Sequence, residues 1–215
     1  MNDSREIIFA AVRRGLRNSE QFTAKRDSRS PLKVIPNNDF ESMFDKFRME
    51  LKKLGGDVVV FDNEGSAHKF IADRVGKNIF IYDELSSLRK NFAANTNNPV
   101  TIKTSSDFDP NYDKRQAAAF DSAISSCAAC VAETGTVVLE NRMRLPAALV
   151  EKLFIIAEPS VLVPSLDELF TDKYRDFKGS NLFLITGPSR TADIEKELVT
   201  GVHGPKEVYV IFIKQ

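Results

Sequence analysis

Two apolar runs near the end of the sequence, Leu182-Phe183-Leu184-Ile185 and Val208 to Ile213, constrain the fold more than any other feature. Runs of this length, bounded by Gly and Pro, suit strands covered on both faces, and such strands lie parallel with a helical crossover between them. Thr191 to Thr200 has the spacing of that crossover. Ile194, Leu198, Val199 and Val202 form one stripe, Ser189 or Thr191 caps the start, and Asp193 and Glu195 put negative charge in the positive first turn. The expected unit is strand, helix, strand. In open α/β sheets ligands sit beyond the carboxyl ends of the strands, where the loop Thr186-Gly187-Pro188-Ser189-Arg190 emerges on this reading.

The same alternation runs through the chain from residue 38. Asn38 and Glu41 make a capping box ahead of Phe40, Met43, Phe44, Phe47, Leu51 and Leu54 at helical spacing, and Gly55-Gly56 ends the helix. A strand at Val58 to Phe61, a helix at Ser66 to Val75, a strand at Asn78 to Tyr82, a helix at Glu84 to Phe92 and a short strand at Val100 to Lys103 then follow the pattern of a parallel sheet. Asp107 to Arg115 reads as an acidic, Pro-interrupted loop, and Gln116 to Val131 mixes helical and strand options. Further strands fall at Val137 to Leu139 and Leu153 to Ala157, with helical turns at Ala147 to Val150 and Leu166 to Tyr174. The expected fold is α/β: a three-layer αβα sandwich with a mainly parallel central sheet over residues 38–215. Ahead of it, Asp3 to Leu16 reads as a helix with an Asp3/Glu6 capping box, and Asn18 to Asn37 as an extended linker holding Pro31 and Pro36. Residues 1–37 are thus expected to form an arm, whose helix either docks a second subunit or folds back onto its own domain.

Composition narrows the function classes. A chain of 215 residues is long enough to bury a full core without staples. Its 30 basic and 30 acidic residues cancel, which argues against nucleic acid or an anionic membrane as the main partner. No segment reaches the roughly 18 apolar residues of a membrane span, and Ile7 to Val12 is too short for a secretory core. The two cysteines build no disulfide framework, in keeping with a reducing, cytoplasmic setting.

Four constellations can carry chemistry. Glu133-Thr134-Gly135-Thr136 precedes a strand, and a left-handed Gly135 would bring backbone amides and two hydroxyls to one point, an anion cradle or an ordinary tight turn. Ser189, Arg190 and Thr191 offer hydroxyls, a guanidinium and helix N-terminal amides suited to a carboxylate or phosphate. Asp193 beside them is a proton acceptor or a dipole partner. His203, held between Gly201 and Gly204-Pro205, titrates near neutral pH and is a candidate acid or base. A helix of about ten residues would hold it roughly 15 Å from Arg190, on the opposite rim. Cys127-Ala128-Ala129-Cys130 is a CxxC for which only His68 and His203 remain to complete a metal set, so no metal site is assigned and buried small hydrophobes are the expected reading, with a redox dithiol as the other. No GxGxxG follows the first strand, and neither a GxxxxGK[ST] nor a GxSxG is present.

The strings ITGPSRTADIEKELVTGVHGP (185–205) and AETGT (132–136) resemble the lactate utilization protein C, or LUD domain, family, and the likeness runs over roughly residues 35–215, most firmly from Asp121 onward. EKLFIIAEPSVLVPSL (151–166) is similar to the strand-then-loop phrase of the superfamily that holds ribose-phosphate isomerases, CoA transferases and methenyltetrahydrofolate synthetase. What the resemblance implies is that superfamily's fold and a place in bacterial L-lactate oxidation to pyruvate, beside partner subunits that carry the iron-sulfur clusters. The chain itself would then hold no cofactor and bind a small anionic ligand at Thr134, Gly135, Thr136, Ser189, Arg190 and Thr191. In CoA transferase-like relatives a Glu followed closely by Gly is the covalent nucleophile, and Glu133 is similar to that arrangement with Thr134 intervening. The structural relatives also imply an alternative, a free-standing enzyme on a phosphorylated, folate or CoA-linked small molecule; a module that senses a carboxylate metabolite is a third reading.

Overall fold

The structure is a computed structural model that describes residues 40–82, 85, 101–104, 107, 118–140, 145–174, 182–191, 199–200 and 204–214. The chain divides into two units, Met1–Pro36 and Asn37–Gln215, and all described residues belong to the second. The expected helix Asp3 to Leu16, the linker, all of the helix Glu84 to Phe92 but Leu85 and nearly all of the loop Asp107 to Arg115 lie outside the described residues.

Helix α1, Phe40–Lys53, forms because Met43, Phe44, Phe47 and Leu51 fall on one face; Phe47 and Leu51 are completely buried. Each contributes about 2–3 kcal/mol by burial. The helix ends in a Schellman turn, with Gly55 N–H donating to the Lys52 carbonyl (3.0 Å) and Gly56 N–H to the Leu51 carbonyl (3.1 Å). Gly55 takes the left-handed φ of 88° that this ending requires. Strand β1, Asp57–Phe61, leads to α2, Glu64–Ala72, capped by the Asn63 side chain accepting from Ser66 N–H, and then to β2, Asn78–Ile81. There follow β3, Thr101–Thr104, β4, Ser122–Ser126, β5, Ala129–Val131, and β6, Thr136–Glu140. After α3, Leu145–Leu149, come β7, Lys152–Ala157, a 3-10 turn at Pro159–Val161, β8, Leu162–Val163, and α4, Leu166–Glu168, which continues as a π turn over Leu169–Lys173. The remaining strands are β9, Leu182–Ile185, β10, Arg190–Thr191, β11, Val199–Thr200, and β12, Glu207–Ile213.

Six strands make a central sheet in the order β1-β12-β7-β4-β2-β3, every pairing parallel. The expected α/β class and parallel core are therefore present. Alternation along the strands divides the side chains between two faces. Phe80, Leu153, Ile155, Val210 and Phe212 meet α1, whereas Ile79, Ile81, Ile124, Phe154 and Ile211 meet Ala67 and Ile71 of α2. Asp121 aligns the amino ends of three strands: its carboxylate accepts from Lys77 and Asn78 N–H (both 2.9 Å) and its carbonyl from Glu151 and Lys152 N–H (both 3.1 Å).

A second sheet, β8-β5-β6-β9, packs on the α1 side of the first. Cys130, Val137, Leu139 and Ile185 join the main core from one of its faces, while Ala129, Val131 and Val138 pack with Leu169 and Tyr174 on the other. Here the structure departs from the expected strand-helix-strand unit. β9 is not a neighbour of β12; it runs antiparallel to β6 in the second sheet, with Leu184 43% exposed. Arg190 and Thr191 pair antiparallel with Thr200 and Val199, so both ends of the supposed crossover helix are strand. Ala192 to Leu198, including Asp193 and Ile194, lie outside the described residues, as do Gly201, Val202 and His203.

Candidate functional site

β5 and β6 form a hairpin in which Val131 faces Thr136, leaving Ala132 to Gly135 as its turn. Gly135 has a φ of 66° and donates its N–H to the Val131 carbonyl (3.0 Å). It lies directly on the last turn of α1: a Cβ there would collide with the Leu51 nitrogen and stand 2.9 Å from the Glu50 carbonyl carbon. The β6–β9 register, Val137 opposite Ile185, sets Thr136 beside Thr186. Thr134 and Thr136 share a hydroxyl hydrogen bond of 2.7 Å, and Thr136 and Thr186 another of 3.0 Å.

The loop after β9 returns to the same helix end. Gly187, at φ 133°, lies so near Leu54 that a Cβ would be 3.1 Å from its carbonyl oxygen. The Arg190 guanidinium sits against Gly55, where any Cβ would strike Nη2. The structure thus gathers Thr134, Gly135, Thr136 and Arg190 around Glu50–Gly55, with Thr186 as the link. The carbonyl-rich end of a helix carries partial negative charge, which favours a cation such as Arg190 there. Ser189 N–H donates to the Pro205 carbonyl (2.8 Å), and a Cβ on Gly204 would lie 2.8 Å from Ser189 Cβ.

Two expectations about position are corrected by this geometry. Pro205 and Gly55, which this loop touches, lie two residues before β12 and β1, so the loop Gly187 to Arg190 stands at the amino edge of the parallel sheet, not at its carboxyl edge. The ten-residue helix behind the expected separation of roughly 15 Å is likewise replaced at its ends, where Arg190 is paired directly with Thr200; His203 itself lies outside the described residues. Thr191 pairs with Val199 in the same ribbon.

Within the turn, the Ala132, Glu133 and Gly135 amides donate to Val163 (2.8 Å), Pro164 (3.0 Å) and Val131 carbonyls. What this rim presents outward is chiefly side chain: the exposed Glu133 carboxylate, the exposed Arg190 guanidinium and the half-buried Thr134 hydroxyl. These are a proton acceptor, a cation and a hydrogen-bond partner, a set able to orient a small carboxylate.

The carboxyl edge holds a cavity of about 350 Å³ between the start of α1, Val60, Phe212 and Pro159, with Glu41, Asp45 and Lys214 at its margin. Its size and place suit a small ligand. Sequence reasoning did not find it, since β1 and β12 become neighbours only through their pairing, Asp57 with Tyr209 through Phe61 with Ile213. Elsewhere burial lowers the His68 pKa, opposed by Glu64, and raises that of Cys130. Among the described residues no three His, Cys, Asp or Glu side chains are grouped to hold a metal ion, and no helix is long and apolar enough to cross a membrane.

A family model described as LUD domain matches residues 44–213. Lactate utilization protein C 1 of Bacillus mycoides (strain KBAB4) is 38% identical over 112 residues, 48% of this chain and 48% of that protein. Lactate utilization protein C of Geobacillus kaustophilus is 38% identical over 90 residues, 38% of each chain, and that of Deinococcus radiodurans 30% identical over 98 residues, 43% of this chain and 46% of its own. The chain therefore spans about half the length, or less, of these curated relatives. A crystal structure of a DUF162 family protein from Deinococcus radiodurans superposes with a TM-score of 0.58 at 15% identity, over 82% of this chain and 99% of the other, a likeness of fold.

Proposed function

The chain belongs to the LUD domain family, and from that premise we propose that it works in lactate utilization, as a cytoplasmic component of L-lactate oxidation to pyruvate that acts with iron-sulfur partner proteins. The observation that supports this reading is the family match over residues 44–213, joined to relatives that bear the name lactate utilization protein C. On this reading the chain binds a small carboxylate at the amino edge of its central sheet. Arg190 supplies the charge, Thr134, Ser189 and Thr191 the polar contacts, and Gly135 and Thr136 shape the rim. Glu133, at the open side, is the candidate acid or base, with Asp193 and His203 as further candidates.

The test is genetic and biochemical together. A strain lacking this chain should lose growth on L-lactate while keeping growth on glucose, and should regain it with the wild-type sequence. The isolated chain should not turn over lactate, whereas a tagged chain should co-purify with proteins that absorb visibly as iron-sulfur clusters. Undiminished growth on lactate would overturn the role. A second reading, an enzyme acting alone on a phosphorylated, folate or CoA-linked small molecule, draws on the carboxyl-edge cavity; turnover of such a compound by the isolated chain would decide for it.

A further inference from the structure

Cys127 and Cys130 are the chain's two cysteines, and both are free thiols. β4 ends at Ser126 and β5 begins at Ala129, so Cys127 and Ala128 form the whole connection between β4 of the central sheet and β5 of the second sheet. That connection is anchored on three sides. The Ala128 N–H donates to the Val138 carbonyl (2.8 Å), the Ala128 carbonyl accepts from Lys173 Nζ, and the Cys127 thiol donates to the Ile156 carbonyl (3.8 Å) at the end of β7. The anchors hold the two sulfurs in contact at 3.7 Å. Cys130 is completely buried in the main core, whereas Cys127 is half-buried at its margin.

We propose that Cys127 and Cys130 form a reversible dithiol/disulfide pair, oxidised by a small-molecule disulfide, that joins the end of β4 covalently to β5. The sulfurs must close from 3.7 Å to about 2.05 Å, a movement of the size that side-chain torsion supplies. Their unequal exposure sets the order of events. Cys127, as thiolate, attacks one sulfur of the oxidant and expels its other half, which takes up the proton that Cys127 released. Cys130 then gives up its proton and attacks Cys127 Sγ, expelling the second half as a thiol. Two thiols are oxidised to one disulfide, and the oxidant is reduced to two thiols. A loop this short removes little chain entropy from the unfolded state. The bond therefore registers the redox state of its surroundings more than it strengthens the fold.

The chain's having two cysteines makes the test direct. The full-length protein is equilibrated with mixtures of reduced and oxidised glutathione, quenched with acid, denatured, alkylated and weighed by mass spectrometry. Both thiols should be lost together in a monomer lighter by two hydrogens, and dithiothreitol should restore them. Cys130→Ser should retain glutathione on Cys127, and Cys127→Ser should leave Cys130 unmodified while the protein is folded. A lasting glutathione adduct on the wild-type chain, a disulfide-linked dimer, or two thiols that persist under excess oxidised glutathione would each overturn the proposal. The wild-type measurement stands whether or not either variant folds.

Discussion

At the scale of single residues, Gly55, Gly135 and Gly187 are the glycines with positive φ among the described residues, and all three stand at the C-terminal end of α1: Gly55 within its Schellman ending, Gly135 against Glu50 and Leu51, and Gly187 against Leu54. The left-handed turn at Gly135 was legible, because Glu-Thr-Gly-Thr ahead of a strand asks for one. What Gly135 would press against was not, since the Glu50–Leu51 backbone lies far off in sequence and no side-chain pattern announces a glycine's contact. Gly135→Ala incurs two penalties: a left-handed φ for an L residue, about 1–2 kcal/mol, and a Cβ driven into helix backbone. A loss of about 3 kcal/mol or more is expected in urea unfolding. An alanine variant within 0.5 kcal/mol of wild type would mean that the hairpin turn does not rest on α1. Thr136 sits between Thr134 and Thr186 in the hydroxyl chain, so Thr136→Val should cost about 1–2 kcal/mol by leaving its neighbours without their shared partner.

At the scale of elements, the legible parts were those whose pattern is local. The stripe of α1 and its Gly-Gly ending, the Val58 to Phe61 and Leu153 to Ala157 strands, and the final strand all carry their own signals. The strand Leu182–Ile185 was legible as a strand but not as to its sheet. A short continuous apolar run fits a parallel core strand or an antiparallel neighbour on a second sheet, and β6 selects the latter. Helical spacing over Thr191 to Thr200 likewise says nothing of the antiparallel pairing that Arg190 and Thr200 make. β12 supports a pH prediction. Tyr209 stacks on Phe154 (5.1 Å between rings, 10° between planes) and donates to the Glu207 carboxylate (2.5 Å). Burial first and Glu207 second push its pKa up to about 12. The unfolded chain ionises Tyr near pH 10, so the neutral phenol's contribution is complete below that pH and is lost as pH rises from about 10 to about 12. Melting temperature should fall over this window, and Tyr209→Phe should flatten the fall. Some of it will remain, because Tyr174 is raised as well, by burial and then by Glu140.

At the scale of the molecule, the parallel sheet has two rims with different characters. The amino rim is tied together by Asp121, by the glycine contacts on α1 and by the Ser189–Pro205 hydrogen bond. The carboxyl rim carries the 350 Å³ cavity and the paired cysteines. Which rim a loop occupies depends on strand order, and β1-β12-β7-β4-β2-β3 pairs strands from opposite ends of the domain; no local pattern encodes that, which is why Arg190 was expected on the other side. The same long-range order makes a statement about autonomy. The three apolar clusters draw their named members from Met43 to Ile213, with α1 supplying Phe47 and Leu51 to the largest. A fragment of residues 37–215 is therefore expected to unfold in one cooperative transition, with a urea slope of about 2 kcal/mol/M. A fragment that starts at Asp57 lacks α1, and loses about 5 kcal/mol of burial from Phe47 and Leu51 alone, comparable to the whole stability of a typical domain. It should give no cooperative transition and should bind a hydrophobic dye. If the longer fragment behaves that way too, the domain does not begin at α1, and residues 1–36 take part in its folding.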